Sequence, residues 1–449
     1  MSLTQELGRF VADVSFERLP AEAIEVARIG FIDCIATMIA GAGDPAPQLL
    51  RRTLQPAGGD ASLYFSGDKG PAPEAAWING TAGHALDYDD VASLRGHPST
   101  VLVPAILAEG EALDASGRDM LAAYVAGYEA WAELAWRDPG HHHRKGWHPT
   151  GIFGPIGAAA ACASLRRLDA QRTSHALALA ASQSSGIMAN FGTMTKPFHA
   201  GRSAHSGLMA ARLAEFGFTG SADAIEHPQG FLSAVSPAGE VDRETPACGL
   251  GSEWKIVRYR LGIKKYPACY CTHRALDAML ELLARRPLRP EEIDTITVSL
   301  SDTHSLILRN HRPQTGLEAK FSIEFAMAAA VIARRAGLAE YNDAFVRRAD
   351  VQDLMRKVVV ETNRDYDPEV SGASVWDQVR VDFAGGGSLE SEKVRRARGH
   401  ADRPLSEAEL FEKFRGCLDA GAARIAPEVL FDRLKHLEDL SARELTKIG

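Results

Sequence analysis

The sequence predicts a mainly α-helical protein with a smaller α+β domain. Three observations lead to this fold class. Apolar residues recur every three or four positions through roughly the first 260 residues, alanine is unusually dense in the same region, and β-branched alternating stretches occur only after it. At 449 residues, 45% of them hydrophobic and 24% charged, the chain is long enough for two or three domains with a large core.

Residues 1–264 are predicted to form an all-helical domain. After Pro20, which suits a first helical turn, Ile24, Phe31 and Ile35 share one face, and Gly41–Pro45 ends this helix. Small alanine side chains let neighbouring helices approach closely, which favours a tightly packed bundle. Further helices are predicted to begin near Ala72, Ser99, Gly117, Thr150, Ala170, Ala200 and Gly220.

Residues 265–395 are predicted to form an α+β domain. The β-branched runs predict strands at Ile293–Leu300, Val358–Thr362 and Gln378–Phe383. Helices are expected at Phe321–Ala336 and Ala344–Lys357. The C-terminal part, 396–449, is helical again, and we expect it to pack on the first bundle. Ser406 and Glu409 have capping-box spacing there.

Charge and cysteine content exclude several classes of protein. The chain holds 50 Lys and Arg against 58 Asp and Glu, a net charge of -8, so it lacks the positive field that nucleic-acid binding uses. The six cysteines are scattered. The only close pair, Cys269 and Cys271, does not have the spacing of a zinc or iron–sulfur site. With no secretory signal and no bilayer-length apolar run, we expect a cytoplasmic protein without a membrane segment.

The densest polar cluster is His84–Asp90, followed by His97. Its carboxylates and imidazoles are candidate proton-transfer groups. The same residue types also suit a hard metal ion or helix caps, and Ser99 has the position of such a cap. Spacing alone leaves these three interpretations open.

Two further clusters favour binding of a small anion. His148 directly precedes a glycine-rich apolar helix, whose N-terminus can face an anion. The G-x-x-G-x-x-G spacing from Gly151 is not a dinucleotide fingerprint, and no strand precedes it, so an NAD site is rejected. Lys196 and Arg202 are candidate carboxylate clamps, and Pro197 predicts an extended Lys196 in a loop.

A fourth cluster, Lys264–Arg274, lies where the helical part meets the α+β part. Domain junctions are favoured places for small-molecule sites.

Five motifs together resemble the MmgE/PrpD family, in order and in spacing. They are Gly80–Asp90 (GTAGHALDYDD), Gly96–Ser99 (GHPS), His148–Gly151 (HPTG), Thr195–Gly207 (TKPFHAGRSAHSG) and Lys264–Ala278 (KKYPACYCTHRALDA). The resemblance covers nearly the whole chain. It implies a helical domain built from both chain ends, an inserted α+β lid domain, a homodimer, and neither a metal nor an iron–sulfur cofactor.

The resemblance also implies site residues. The positions that match active-site residues of the family's decarboxylase branch are Asp87, His97, His148, Lys196 and His273. Val91 stands where the decarboxylases and dehydratases have threonine, and the Asp87–His97 loop is shorter than in methylcitrate dehydratases. We expect Lys196 and Arg202 to bind carboxylate and enolate charge, and His97 and His148 to act as acid or base. Asp87 is either the base or the group that orients a histidine.

These residues predict a cofactor-free lyase that acts on a small polycarboxylic acid. A reaction like that of 2-methylcitrate dehydratase ranks first. An isomerase or epimerase of a related dicarboxylate, as in iminodisuccinate epimerase, ranks second, and a cis-aconitate-type decarboxylase third. A non-catalytic protein that binds anionic metabolites is the alternative from another class.

Overall fold

The computed structural model describes residues 1–92, 96–370 and 372–448. Helices make up 54% of it and strands 9%, which confirms the mainly α class. The chain divides into two compact units. The first comprises Met1–Asn190, Met194–Leu261 and Ser406–Gly449, and the second Phe191–Thr193 and Gly262–Leu405. Two of the boundaries between these units, at 261/262 and 405/406, correspond to the predicted boundaries at 264/265 and 395/396. The first lies three residues before the predicted position and the second ten residues after it.

The N-terminal part of the first unit is built mostly of helices. They are α1 (Leu3–Asp13), α2 (Ala21–Gly41), α3 (Pro45–Leu54), α4 (Ala72–Ala85), α5 (Ser99–Leu113), α6 (Gly117–Ala135), α7 (Pro149–Leu165), α8 (Ala170–Ala181), α9 (Thr195–Glu215), α10 (Phe231–Val235) and α11 (Lys255–Tyr259), with strands β1 (Ala61–Ser62) and β2 (Lys69–Gly70) between α3 and α4. Most predicted starts are confirmed to within a residue. The predicted start near Ala200 is five residues late, and the one near Gly220 is wrong, because turns fill 221–230 up to α10.

The expectation of an all-helical first domain is wrong at one place. Strands β1 and β2 form a two-residue antiparallel ladder. The Ser62 N–H and hydroxyl both donate to the buried Glu111 carboxylate at 2.6 Å, and the Asn79 amide donates to the Ser62 carbonyl at 2.8 Å. Backbone polar groups of a buried segment need partners, and the short ladder with these side chains supplies them.

Helix α9 organises the core of the first unit. It packs against both α4 and α7, and α5 contacts all three. A Cβ on Gly201 would lie 2.1 Å from the Trp77 carbonyl oxygen of α4, and one on Gly207 would lie 2.5 Å from the Ala159 nitrogen of α7. The two glycines therefore let α9 approach both neighbours at backbone distance.

The second unit combines helices with a four-stranded sheet. Its elements are α12 (His273–Arg285), β3 (Ile293–Ser301), α13 (Asp302–Ile307), α14 (Gly316–Ala319), α15 (Ile323–Ala333), α16 (Asp343–Val346), α17 (Ala349–Met355), β4 (Val358–Asn363), β5 (Gln378–Phe383) and β6 (Ser388–Glu390). The strand order is β4-β3-β5-β6; β3 and β4 are parallel, and the other pairs are antiparallel. The three predicted strands are confirmed. The predicted helix 344–357 is two helices, separated at Arg347 and Arg348.

The C-terminal helices belong to the first unit. They are α18 (Glu407–Ala420), α19 (Pro427–Lys435) and α20 (Ala442–Leu445). The Ser406–Glu409 capping box is confirmed at the start of α18. Helix α18 packs on α2, where the buried Lys413 ammonium lies 2.6 Å from the Asp33 carboxylate. Across the described residues, no helix combines the length and the hydropathy that crossing a membrane would need.

Candidate active site

Three helix ends in the first unit bring together the polar side chains singled out in the sequence. His84 lies in the last turn of α4, Lys196 in the first turn of α9, and His148 is the N-cap residue of α7. All three are at most 4% exposed. Because Gly201 lets α9 meet α4 one turn away from His84, the close helix contact places the His84 ring beside Lys196.

Lys196 forms a buried ion pair with Asp87. Its Nζ donates to Asp87 Oδ1 at 2.9 Å, and Asp87 is 3% exposed. Asp87 directly follows the C-cap of α4 and has a left-handed backbone, φ 49°. That conformation is uncommon for a residue with a side chain and is most often adopted by Asp and Asn among such residues. It turns the chain sharply after α4.

His84 is the second partner of Lys196. The Lys196 Nζ lies 2.7 Å from His84 Nε2, while His84 Nδ1 lies 2.9 and 3.0 Å from the two oxygens of Asp89. Burial lowers the pKa of His84 to about 3, and the Lys196 charge acts in the same direction. The ring is therefore neutral near pH 7, with its proton on Nδ1 facing the carboxylate and its lone pair on Nε2 facing the ammonium.

Asp89 is shared between two histidines. Its Oδ2 lies 3.1 Å from His97 Nδ1, and Asp89 itself is fully buried. Burial alone would raise the pKa of Asp89, but the electrostatic interactions and hydrogen bonds with His84 and His97 outweigh it and hold this pKa well below its usual range. Asp89 is thus a carboxylate that orients both rings.

His97 has a defined orientation. Its Nδ1 lies 2.8 Å from the Asp90 carbonyl oxygen as well as close to Asp89. Both are acceptors, so Nδ1 carries a proton and donates it. The nitrogen that gains or loses a proton in His97 is consequently Nε2.

Asp90 supports the start of α5 rather than the reaction centre. It accepts a hydrogen bond from the Ser99 N–H at 3.3 Å and another from the Ser99 hydroxyl, which also lies 2.6 Å from Tyr124 Oη. Burial, and after it the charge of Asp33, raises the pKa of Asp90 well above its usual range. The predicted N-cap role of Ser99 is wrong, because Ser99 is already inside α5 and Pro98 occupies the cap position.

His148 has a histidine neighbour. Its Nδ1 lies 3.1 Å from His199 Nδ1, and one of the two nitrogens must donate. Burial holds the pKa of His148 well below its usual range and lowers that of His199 to about 4, and the Lys196 charge adds to both shifts. The rings of His84, His97 and His148 lie with centroids 4.4–6.4 Å apart, so three imidazoles cluster together, and His84 joins this cluster to the ion pair.

The same cluster has the donor set of a metal site. His84, Asp87, Asp89 and His97 each offer a donor atom, and these atoms lie within 4.8 Å of one another. However, the Lys196 ammonium already lies within hydrogen-bond distance of His84 Nε2 and Asp87 Oδ1. A divalent ion there would have to displace or face that ammonium, so the residues present fit an ammonium better than a metal.

Arg202, a predicted site residue of the first unit, lies outside this cluster. Arg202 is six residues beyond Lys196 on α9; its guanidinium stacks over Trp77 at 4.9 Å, and it lies 2.8 Å from His205 Nδ1. The structure does not bring Arg202 to the ion pair. His273 begins α12 in the second unit, where it is buried against the rings of Tyr266 and Tyr270 and lies 3.3 Å from the Ala268 carbonyl.

The loop between Asp87 and His97 is described in part. Val91 is half-buried, whereas residues 93–95 lie outside the described residues. The prediction that Pro197 extends the backbone at Lys196 is wrong. Both residues lie in the first turn of α9, where proline is tolerated because the first amides of a helix have no intrahelical partner.

Sequence reasoning included His84 and Asp89 in the densest polar cluster but gave neither a specific role, and it assigned no role to His199. All three stand inside the quoted motifs. Their position next to the predicted residues could have identified them. A buried imidazole needs hydrogen-bond partners, and neighbouring polar side chains can supply these.

Comparison with known proteins agrees with the motifs. The profile of the MmgE/PrpD N-terminal domain matches residues 5–244, and that of the C-terminal domain matches residues 266–429. The cis-aconitate decarboxylase of Homo sapiens is 29% identical over 380 residues, 82% of this chain and 77% of that protein. The Mus musculus enzyme is 27% identical over 381 residues, 82% and 76% of the two chains, and the Aspergillus terreus enzyme 26% over 465 aligned positions, 98% and 92%. Since the two domain profiles together span most of its length, the chain belongs to the MmgE/PrpD family.

Proposed function

We propose that this protein is a lyase that decarboxylates a small unsaturated polycarboxylic acid, with cis-aconitate as the first substrate to test. Curated relatives that align with at least four fifths of the chain are named cis-aconitate decarboxylases. The motifs alone rank dehydration first and decarboxylation third. The relatives favour decarboxylation over dehydration.

One observation carries the proposal: a buried Lys196–Asp87 ion pair that contacts a cluster of three imidazole rings through His84. Buried titratable groups with strongly shifted pKa values cluster at catalytic sites. A polycarboxylate needs a cation to bind it, and carbanion chemistry needs a positioned acid or base. The cluster supplies both.

The proposed reaction begins with loss of CO₂. The bond between a methylene carbon and its carboxylate breaks, and the electron pair stays on carbon, where it spreads over the adjacent double bond and the remaining carboxylates. A proton is then added at the far end of this allylic system. The products are CO₂ and an unsaturated dicarboxylate with a shifted double bond.

Lys196 and His97 take distinct roles in this scheme. Lys196 pairs with a substrate carboxylate and with the charge that develops on it. His97 Nε2 is the proton donor, because Asp89 accepts from Nδ1 and stabilises the imidazolium form. His148, whose pKa is held low, acts as a neutral ring that orients substrate.

A substrate panel in deuterated water tests the proposal. Purified protein is incubated with cis-aconitate, 2-methylcitrate, citrate and iminodisuccinate, and products are followed by proton NMR and CO₂ release. We expect CO₂ release from cis-aconitate with one deuterium incorporated into the product. Water loss from 2-methylcitrate would instead support a dehydratase, and isotope exchange with inversion would support an epimerase. No change with any compound would support a non-catalytic binding protein.

We further propose that the reaction needs no metal and that the protein is a homodimer. Activity should survive exhaustive dialysis against EDTA, since Lys196 supplies the positive charge next to the candidate metal donors. Loss of activity that one metal restores would make His84, Asp87, Asp89 and His97 a ligand set.

The proposed homodimer is tested by light scattering, which should give about twice the 48.4-kDa mass of one chain.

A further inference from the structure

Beyond the residues that face the proposed chemistry, the site contains a fixed chain of polar contacts. It runs from Asp89 through the His84 ring to Lys196 and on to Asp87. The four side chains are each at most 4% exposed. Three of them already have an evident task, because Lys196 and Asp87 form the ion pair and Asp89 orients His97. Only His84 among the four contacts both Asp89 and Lys196, and it thereby connects Asp89 to the ion pair.

The proton positions along this chain follow from chemistry. An ionised carboxylate only accepts, so His84 Nδ1 must donate to Asp89. An ammonium only donates, so His84 Nε2 must accept from Lys196. A single neutral tautomer of His84 satisfies both requirements. The other tautomer would place an N–H against the ammonium.

We propose that His84, locked by Asp89 in the tautomer with the proton on Nδ1, is the positioning residue that holds the Lys196 ammonium for catalysis. This inference rests on the proposed function of Lys196 as the cation that binds substrate charge. His84 and Asp87 fix two of the three N–H directions of Lys196, which determines where the third points. A neutral acceptor holds the ammonium without cancelling its charge, whereas a second carboxylate would cancel it.

Two substitutions at position 84 separate this role from a structural one. In glutamine the amide lies near the place of His Nε2, and in asparagine near the place of Nδ1. His84→Gln therefore keeps an acceptor for Lys196 and gives up the contact with Asp89. His84→Asn keeps a donor for Asp89 and gives up the contact with Lys196.

The proposal expects His84→Asn to be the damaging change. Its kcat/KM on the substrate found in the panel should fall about 10- to 100-fold, the loss expected when a hydrogen bond to a charged group is removed. His84→Gln should retain most of the activity even if its melting temperature is lower. His205→Asn, on α9 beside Arg202, is the matched control and should leave kcat/KM unchanged.

The reverse order would overturn the proposal. An active His84→Asn with an impaired His84→Gln would show that His84 serves only to pair Asp89. Equal activity of both folded variants and the wild type would show that Lys196 needs no acceptor there.

A second measurement needs no turnover. Histidine-selective ¹⁵N labelling distinguishes the two neutral tautomers by their nitrogen shifts. We expect one ring in the wild-type protein to stay neutral with its proton on Nδ1 from pH 6 to 9, and its signals to be missing from whichever position-84 variant folds. If the ring assigned to His84 carries its proton on Nε2, or titrates in this range, the proposal is overturned. If no substrate in the panel reacts, the proposed function fails, and this spectrum still decides the role of His84.

Discussion

At the scale of single residues, the site depends on charges that are paired inside the protein. Removing one partner of a buried ion pair leaves the other charge without compensation and destabilises a protein by about 3–5 kcal/mol. Lys196 and Asp87 form such a pair. Substitutions here therefore change stability and catalysis together, and tests must measure both.

Lys196→Met should abolish the cation that binds substrate. A hydrogen bond to a charged group contributes about 1.5–3 kcal/mol, so we expect kcat/KM to fall about 10- to 100-fold or more. Lys255→Met is the matched control, since Lys255 forms a partly buried pair with Glu133 at 2.6 Å elsewhere in the same unit. Both variants should melt at lower temperature, but only Lys196→Met should lose activity. Wild-type kcat/KM in Lys196→Met would make Lys196 a purely structural cation.

His97→Gln should lower kcat by about 10²–10⁴, the contribution of a positioned acid or base. His148→Gln should also lower kcat, because this ring orients the substrate. If the two rings act on one proton-transfer step, the double variant loses far less than the product of the single losses. The measurement is kcat beside the melting temperature of each variant. Stable but nearly inactive variants support the assignment, whereas active but unstable ones would make both histidines packing residues.

The sequence predicts which residues form the candidate site better than how these residues are connected. Asp87, His97, His148 and Lys196 are identifiable because carboxylates, imidazoles and amines stand in motifs next to apolar helices. The hydrogen-bond partners of these residues cannot be identified in this way. The His84–Lys196 contact joins residues 112 positions apart and depends on how closely two helices approach, which no local pattern records.

At the scale of elements, the start of α9 shows why the rest could not be predicted. The proline rule for the preceding residue favours an extended Lys196. It is overridden here because Pro197 lies in the first turn, where its missing N–H leaves no hydrogen bond unmade. Length and type of the long helices and strands follow from periodicity. Short pieces such as β6 and the α16–α17 break depend on tertiary contacts.

Gly201→Ala should disrupt the contact between α9 and α4. The new methyl group would lie 2.1 Å from the Trp77 carbonyl oxygen, so the helices must separate. Overpacking of this kind destabilises by about 1–3 kcal/mol, and a shift of α4 also moves His84 away from Lys196. We expect a lower melting temperature together with a lower kcat.

The matched control is Gly416→Ala in the exposed middle of α18, where a Cβ meets nothing within 4 Å. It should stabilise the protein by about 0.5–1 kcal/mol and leave kcat unchanged. A Gly201→Ala variant that behaves like this control would contradict the backbone contact between the helices.

At the scale of the whole molecule, the neutral buried histidines make stability depend on pH. The pKa of His84 is about 3 in the folded protein and near 6.5 in the unfolded chain. Between these values the unfolded chain binds more protons, so stability rises with pH and is lost as the pH falls below 6.5. From pH 7.5 to 5.5, His84 alone should lower the free energy of unfolding by about 1.4 kcal/mol.

Urea unfolding at these two pH values measures the effect. His84→Gln should lose about 1.4 kcal/mol less than the wild type between them. His436→Gln, at the exposed end of α19, is the control and should follow the wild type. A His84→Gln variant with wild-type pH dependence would show that His84 titrates normally in the folded protein.

The left-handed backbone conformation of Asp87 limits which amino acids can occupy this position. Glycine and asparagine adopt φ 49° readily but bring no charge to Lys196. Glutamate brings the charge but adopts this conformation poorly and is one methylene longer. Aspartate alone among the coded amino acids combines a carboxylate with a tolerance for the left-handed region. In a library of all twenty residues at position 87, selection for folding should rank Gly and Asn next after Asp, while selection for activity should recover Asp.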